Sequence, residues 1–267
     1  MSFQDMKLGL LPPTPDRPAL KVSDFLTGII PKVPEKIDYM EGLKFPIFGN
    51  NSYGVCGPVS VAHDRICTTS KISGVVTSPS QEDIWQLYRH SGNTNFDPNL
   101  PSDHPRQEDN GVNMQTMLTA LNKFGIGARR CMAFARVDAK DIEELKISIA
   151  VFGCVLFGVD LQVAQQDQTD NGVWTYSPSK NWGGHAVAGM AYANGIDIAT
   201  WGKRVKMSDG FIKNQSSEAW VVIFPEHFSE KTFMEGVDFK ILKGGYEKLT
   251  GRRFPSWELG ASAFNLI

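Results

Sequence analysis

Residues 50–61 read NNSYGVCGPVSV, and the fold turns on this stretch. The run VSVAHDRIC that continues it to Cys67 puts Val59, Ala62, His63 and Ile66 on one face at helical spacing. Cys56 therefore stands where a helix begins. A helix N-terminus carries unsatisfied N–H groups and a partial positive charge, both of which favour thiolate over thiol and lower the pKa of a cysteine. Gly54 and Gly57 let the backbone turn tightly around it. The N–H groups beside Cys56 are placed to stabilise an oxyanion during acyl transfer. Such a nucleophile needs a base within hydrogen-bond reach and a group that orients the base.

Outward from this stretch the chain reads helical first and β second. Ser80–His90 is a second helix with Ser80 as N-cap. Asn113–Phe124 is a third, stopped by Gly125, and Asp138 or Asp141 opens a fourth through about Ala150. Between them, residues 91–110 form a polar loop of a length often tied to function. From Val151 the pattern changes to short apolar runs: CVLFGVDL (154–161), HAVAGMAY (185–192), GIDIATW (195–201) and AWVVIF (219–224). That order predicts an α+β fold, a helical lobe packed on an antiparallel sheet or barrel. Residues 1–46 hold seven of the fifteen prolines, so they read as an extended arm docked on the body, with one helical turn near Ser23–Leu26. The expected divisions are an arm (1–46), a helical lobe (47–150), a β lobe (151–228) and a tail (229–267). The tail carries a further helical stretch and exposed aromatics Phe254, Trp257 and Phe264.

His185, 129 residues after Cys56 in WGGHAVAGM, is the best candidate base. Its two preceding glycines leave room for close approach. The other histidines are weaker: His63 follows the nucleophile on its own helix, His90 and His104 border the loop, and His227 follows the last strand.

These residues carry a resemblance. A cysteine opening a helix, HAV starting a strand, then TWG after a hairpin resembles the papain-like cysteine peptidases, whose His and Asn lie roughly 130–150 residues after the nucleophile. The arm LGLLPPTPDRPAL (8–20), with FGNNSYGVC, WGGHAV and TWGK, more specifically resembles papain-like proteins of actinobacteria and their phages. The resemblance spans about residues 9–224 and implies Cys56 as nucleophile, His185 as general base, and Asn50, six residues before the cysteine, as oxyanion donor. Neighbouring Asn51 could substitute for Asn50. The family's orienting Asn position holds Ala199 here, so the orienter is missing or is replaced by Thr200, Asp197 or Asn194. Trp201 would shield His185 from water. Gly57, Pro58 and Val59 stand where papain has a tryptophan soon after the cysteine.

Composition narrows the partners. The chain has 267 residues, 42% hydrophobic and 21% charged, with a formal charge of −2. That is a globular composition without the basic excess of a nucleic-acid or anionic-membrane surface. No apolar run reaches the roughly 18 residues of a membrane span, and the N-terminus does not read as a secretory signal. Cys56, Cys67, Cys131 and Cys154 form no CxxC pair, and the last three read as buried, reduced thiols. Asp160 and Asp170 read as solvated carboxylates, and Asp109-Asn110-Gly111 as a turn. The expectation is a cysteine hydrolase of peptide or amide bonds, without cofactor or metal, cytoplasmic or virion-associated. The competing expectation is a papain-like module with little or no catalysis, serving a structural or binding role on a phage particle or in a homo-oligomer through arm and tail.

Overall fold

The structure is a computed structural model and describes residues 6–28 and 33–256. Trp257 and Phe264 of the expected tail aromatics, and Pro31 of the arm, lie outside the described residues. The chain opens with β1 (Leu20–Lys21), α1 (Val22–Phe25) and β2 (Ile37–Asp38), followed by α2 (Cys56–Ser73), α3 (Gln81–His90) and α4 (Met114–Lys123). Then come β3 (Ala133–Val137), α5 (Ile142–Phe152), β4 (Val155–Gln162), α6 (Ala164–Asp170), β5 (Val173–Trp174), β6 (Asn181–Ala193), β7 (Gly195–Thr200) and β8 (Lys203–Met207). The chain continues through α7 (Asp209–Gln215), β9 (Ser216–Ile223), a 3₁₀ turn at Pro225–Ser229, α8 (Lys231–Gly236) and α9 (Phe239–Thr250).

The strands form one sheet in the order β1-β3-β9-β4-β6-β7-β8-β5, with β2 paired to β6. The fold is α+β, as expected, but the order is less clean than the sequence suggested. β3 precedes α5 and pairs antiparallel with β9, so the sheet begins inside the stretch read as helical. Nor is the sheet wholly antiparallel, since β1–β3 and β5–β8 are parallel pairs. Phe254, expected to be exposed, packs its ring on Phe228 and Tyr246.

Period-2 alternation sorts the central strands between two cores. Leu156, Ala186, Ala188, Trp220 and Val222 face α2, α3 and α4. Phe157, Val187, Ala219, Val221 and Ile223 face the opposite layer with α1 and α5. α2 lies against β6 and is buried from Cys56 to Thr69. A helix sunk this deeply must satisfy its polar side chains inside the protein. Arg65 forms a buried ion pair with Glu226 and lies 4.3 Å over the Phe224 ring. Thr68 donates to Asp64 at 2.6 Å, and His63 Nε2 bonds the Pro46 carbonyl at 2.8 Å.

Two outcomes follow. Arg65→Met leaves Glu226 buried without its cation and lowers unfolding free energy by about 3–5 kcal/mol in a urea titration. Burial pushes the His63 imidazole down to about 4 from an ordinary 6.5. Below pH 6.5 the unfolded chain therefore takes a proton that the folded chain refuses, and stability falls as pH drops. His63→Gln keeps a donor for Pro46 and removes that titration. Its stability deficit relative to the parent, measured by urea titration, shrinks by about 3 kcal/mol on going from pH 6.5 to pH 4.

Candidate active site

Cys56 is the first residue of α2, and the residue before it, Val55, supplies no side-chain cap. The first N–H groups of the helix are thus left to the site. The sulfur is fully buried, and backbone N–H groups of Ala186, Gly9, Gly57 and Cys56 itself act on it. Ala186 follows His185 on β6, so α2 and β6 bring Cys56 to the strand of His185. The expected low pKa does not hold in this state: burial outweighs those dipoles and pushes the thiol up to about 11.

His185 lies inside β6 rather than at its start, because Asn181–Gly184 also pair with β4. Its Nε2 is 2.8 Å from Thr200 Oγ1 at the end of β7. Nδ1 is buried without a hydrogen-bond partner among the described residues. The imidazole stacks on Trp201 at 4.2 Å and 16°, and burial pushes its pKa down to about 3. Of the three candidate orienters, Thr200 makes the contact. Asp197 is engaged by Arg204, and Asn194 is exposed in the turn between β6 and β7. Ala199 faces the other core.

Asn50 is buried, and its Oδ1 has no hydrogen-bond partner among the described residues. Its carbonyl accepts the Trp201 indole N–H at 3.2 Å. Trp201 adopts a left-handed φ of 46°, which turns its ring back over His185. One tryptophan thus packs on the imidazole and holds the Asn50 backbone, a link that spacing alone does not reveal.

The room expected beside His185 is taken by the arm. Leu10 N–H donates to Gly184 O at 3.1 Å; Val112 N–H donates to Gly9 O at 2.7 Å; Leu11 N–H donates to Val112 O at 2.9 Å. Lys7 N–H reaches Asn51 O at 3.3 Å. The arm runs between walls that leave no space for a side chain at Gly9, Gly111 or Gly184. A β-carbon on Gly9 would lie 2.2 Å from Gly54 O, one on Gly111 2.3 Å from Gly9 O, and one on Gly184 2.3 Å from Leu10 O.

A polar hub that sequence reading took for a turn holds two of these walls. Asp109 accepts from Gly54 N–H at 2.9 Å, from Tyr88 Oη–H at 2.6 Å and from Ser102. Tyr88 Oη in turn accepts from Gly111 N–H at 2.9 Å. Lys7 of the arm lies 4.0 Å from the same carboxylate. The loop before Cys56 and the Val112 wall are tied through one buried carboxylate. No residue type in the polar loop singled Asp109 out, because most of its partners (Gly54, Tyr88 and Lys7) lie far from it along the chain. Among the described residues no cluster of His, Cys, Asp and Glu could hold a metal ion. Asp170 pairs with Lys203, and the four cysteines are buried and free. No helix among the described residues is long and apolar enough to cross a membrane.

No family model matches the chain, and no curated protein matches it in sequence. Solved structures do match in shape. Xylellain, a cysteine protease from Xylella fastidiosa, superposes with a TM-score of 0.64 at 15% identity, covering 82% of this chain and 96% of its own. A procathepsin B from Trypanosoma congolense gives 0.59 at 12% identity, covering 84% of this chain and 89% of its own. At such identities the likeness is one of fold, and the fold is papain-like.

Proposed function

We propose that the protein is a thiol hydrolase of peptide or amide bonds, held latent by its own residues 7–11. One observation carries the reading: His185 is gripped at Nε2 by Thr200 while Nδ1, on the strand that carries Cys56's neighbour Ala186, is left without a partner. With Nε2–H donating to Thr200 Oγ1, Nδ1 bears the lone pair and can take the Cys56 proton. The sulfur then attacks the carbonyl carbon, and the Cys56 N–H and the Asn50 amide hold the oxyanion. His185 returns the proton to the departing amine, leaving a thioester. Water gives a proton to His185 as it attacks that thioester, and the acid leaves with the thiol restored.

Thr200 performs the orienting task less strictly than a carboxamide oxygen would, because a hydroxyl both donates and accepts. It therefore permits the unproductive tautomer as well. A second reading, a binding or structural module in an assembly such as a phage particle, draws on a different observation: the cleft is filled and the thiol is buried. The two readings part once the arm is displaced.

Gly9→Ala supplies that displacement, since its methyl group meets the Gly54 backbone. We expect Cys56 in Gly9→Ala to react with iodoacetamide at least ~10-fold faster than in the parent, as burial no longer suppresses the thiolate. The same variant should cleave denatured casein. Adding His185→Ala should slow cleavage by about 10²–10⁴-fold, Thr200→Val by less, and Cys56→Ala should end it. A fast-alkylating Gly9→Ala protein that cleaves neither casein nor a mixed peptide library would refute the hydrolase and leave the module.

A further inference from the structure

Two hollows of about 410 and 400 Å³ meet where α4, β3 and α9 come together. Each is of a size that holds a ligand. Asn122, Tyr246 and Arg252 line both, so they form one groove. Cys56, His185, Asn50 and Thr200 do not line it. Four arginines do: Arg17 of the arm, Arg130 before β3, and Arg252 and Arg253 after α9. No aspartate or glutamate lines either hollow. The chain as a whole carries a formal charge of −2, so this positive charge is local. Among the described residues Arg130, Arg252 and Arg253 form no ion pair. Arg17 gives its guanidinium only to the hydroxyls of Thr116 and Thr119, at 2.9 and 3.3 Å.

Main-chain geometry holds these arginines in place. Gly251, in the left-handed region at φ 66°, ends α9 and turns the chain, with its N–H on Glu247 O. Arg252 N–H then donates to Thr250 Oγ1 at 3.2 Å, and the Phe254 ring packs on Tyr246 and Phe228. On the facing side Ile126 and Arg129 exchange main-chain hydrogen bonds at 2.9 and 3.2 Å just before Arg130. Asn122 Nδ2 ties α4 to the same rim, donating to Cys131 O at 2.8 Å and Met132 O at 3.2 Å. Between the arginines the lining is largely apolar, with Phe134, Tyr246 and Leu249 in one hollow and Met132, Pro225 and Pro255 in the other. The one acid of α9, Glu247, accepts the Phe254 N–H at 3.3 Å and lines neither hollow. Gln115, 5% exposed, lines the hollow that Arg17 borders. Its Nε2 donates to Pro18 O at 2.7 Å, while Oε1 has no hydrogen-bond partner among the described residues. That oxygen is an acceptor, which a peptide N–H can satisfy and a phosphate oxygen cannot.

We propose that this groove docks an acidic segment of another protein, one in which glutamates or aspartates flank apolar side chains. Guanidinium groups pair with carboxylates through two parallel hydrogen bonds, and the apolar lining takes the side chains between. A nucleic acid would match the charge but not that lining, and a flat anionic membrane would meet the rim without filling the groove. The inference does not depend on what Cys56 does.

The test is fluorescence anisotropy of a labelled Glu-Glu-Phe-Glu-Glu-Leu-Glu-Glu peptide against the full chain at about 50 mM salt, where screening is modest. We expect saturable, micromolar binding that is lost when every Glu of the peptide is replaced by Gln. Arg252→Glu with Arg253→Glu should raise Kd at least ~10-fold, since each turns an attraction into a repulsion. Lys213→Glu with Lys240→Glu changes the net charge equally at exposed positions outside the groove. That pair should leave Kd within about twofold of the parent, as isolated surface charges contribute little. Equal losses in the two double variants would overturn the proposal, because net charge and not the groove would then hold the peptide. Failure of the parent to bind, or equal binding of the Gln peptide, would also overturn it. Tighter binding of a single-stranded thymidine decamer or of phosphatidylserine vesicles would do the same and give the arginines to that partner. The Glu and Gln peptides are compared on the parent protein, so the result does not hang on the folding of any variant.

Discussion

The site depends on one contact of main chain against main chain. Gly9 passes between Gly54, two residues before Cys56, and Gly111, the residue before Val112. Bare backbone on both sides is what lets a strand bond to Val112 and Gly184 while lying over the Cys56 sulfur. The Asp109–Tyr88 hub fixes the distance between these walls, because a single carboxylate holds the Gly54 N–H and a single phenol holds the Gly111 N–H. The packing density typical of protein interiors makes such a slot unforgiving of even one methyl group.

The covered site is electrostatically silent. A helix N-terminus and several N–H dipoles favour the thiolate, but each acts across a fully desolvated sulfur. A buried charge costs more than exposed partial charges return. The imidazole suffers the same penalty in the opposite direction, so cysteine and histidine both sit neutral. Letting water reach the cleft relieves both penalties together, since each charged form stabilises the other once the pair is solvated. In the proposed hydrolase the arm would thus suppress the chemistry by dehydrating it as well as by blocking access.

The helices and the main strands were legible because their side chains obey simple periods: α3 and α4 each bury one helical face, and β4, β6 and β9 alternate between two cores. β3 escaped notice because its buried face, Ala133, Ala135 and Val137, is built mostly of small side chains and Arg136 breaks the apolar run. Cys56 and His185 were visible as residue types in telling places. Thr200 was one of three orienters until the β6–β7 register put its hydroxyl at Nε2 and Arg204 claimed Asp197. Asp109 and the covering role of Gly9 and Leu10 were not legible. Each works through main-chain geometry or through burial, and neither leaves a pattern along the chain.

The way the arm is anchored bears on how the cleft could ever open. A tethered segment competes with a free peptide as if present at about millimolar concentration, and residues 7–11 already use the wall hydrogen bonds that a peptide would use. The tether is short and fixed at its far side: Arg17 bonds Thr116 and Thr119, Asn113 bonds Pro12 O, Gln115 bonds Pro18 O, and β1 pairs with β3. A peptide of ordinary affinity cannot win that competition while those anchors hold. Toward the N-terminus, by contrast, the described grip on Lys7 is one long main-chain hydrogen bond and a half-exposed ion pair at 4.0 Å, interactions of small net worth. Met6 and Leu8 on either side of Lys7 pack against the core, so this end is held by apolar burial rather than by polar contacts. Uncovering Cys56 therefore requires breaking the apolar contacts of Met6 and Leu8 as well as the wall hydrogen bonds of Gly9, Leu10 and Leu11.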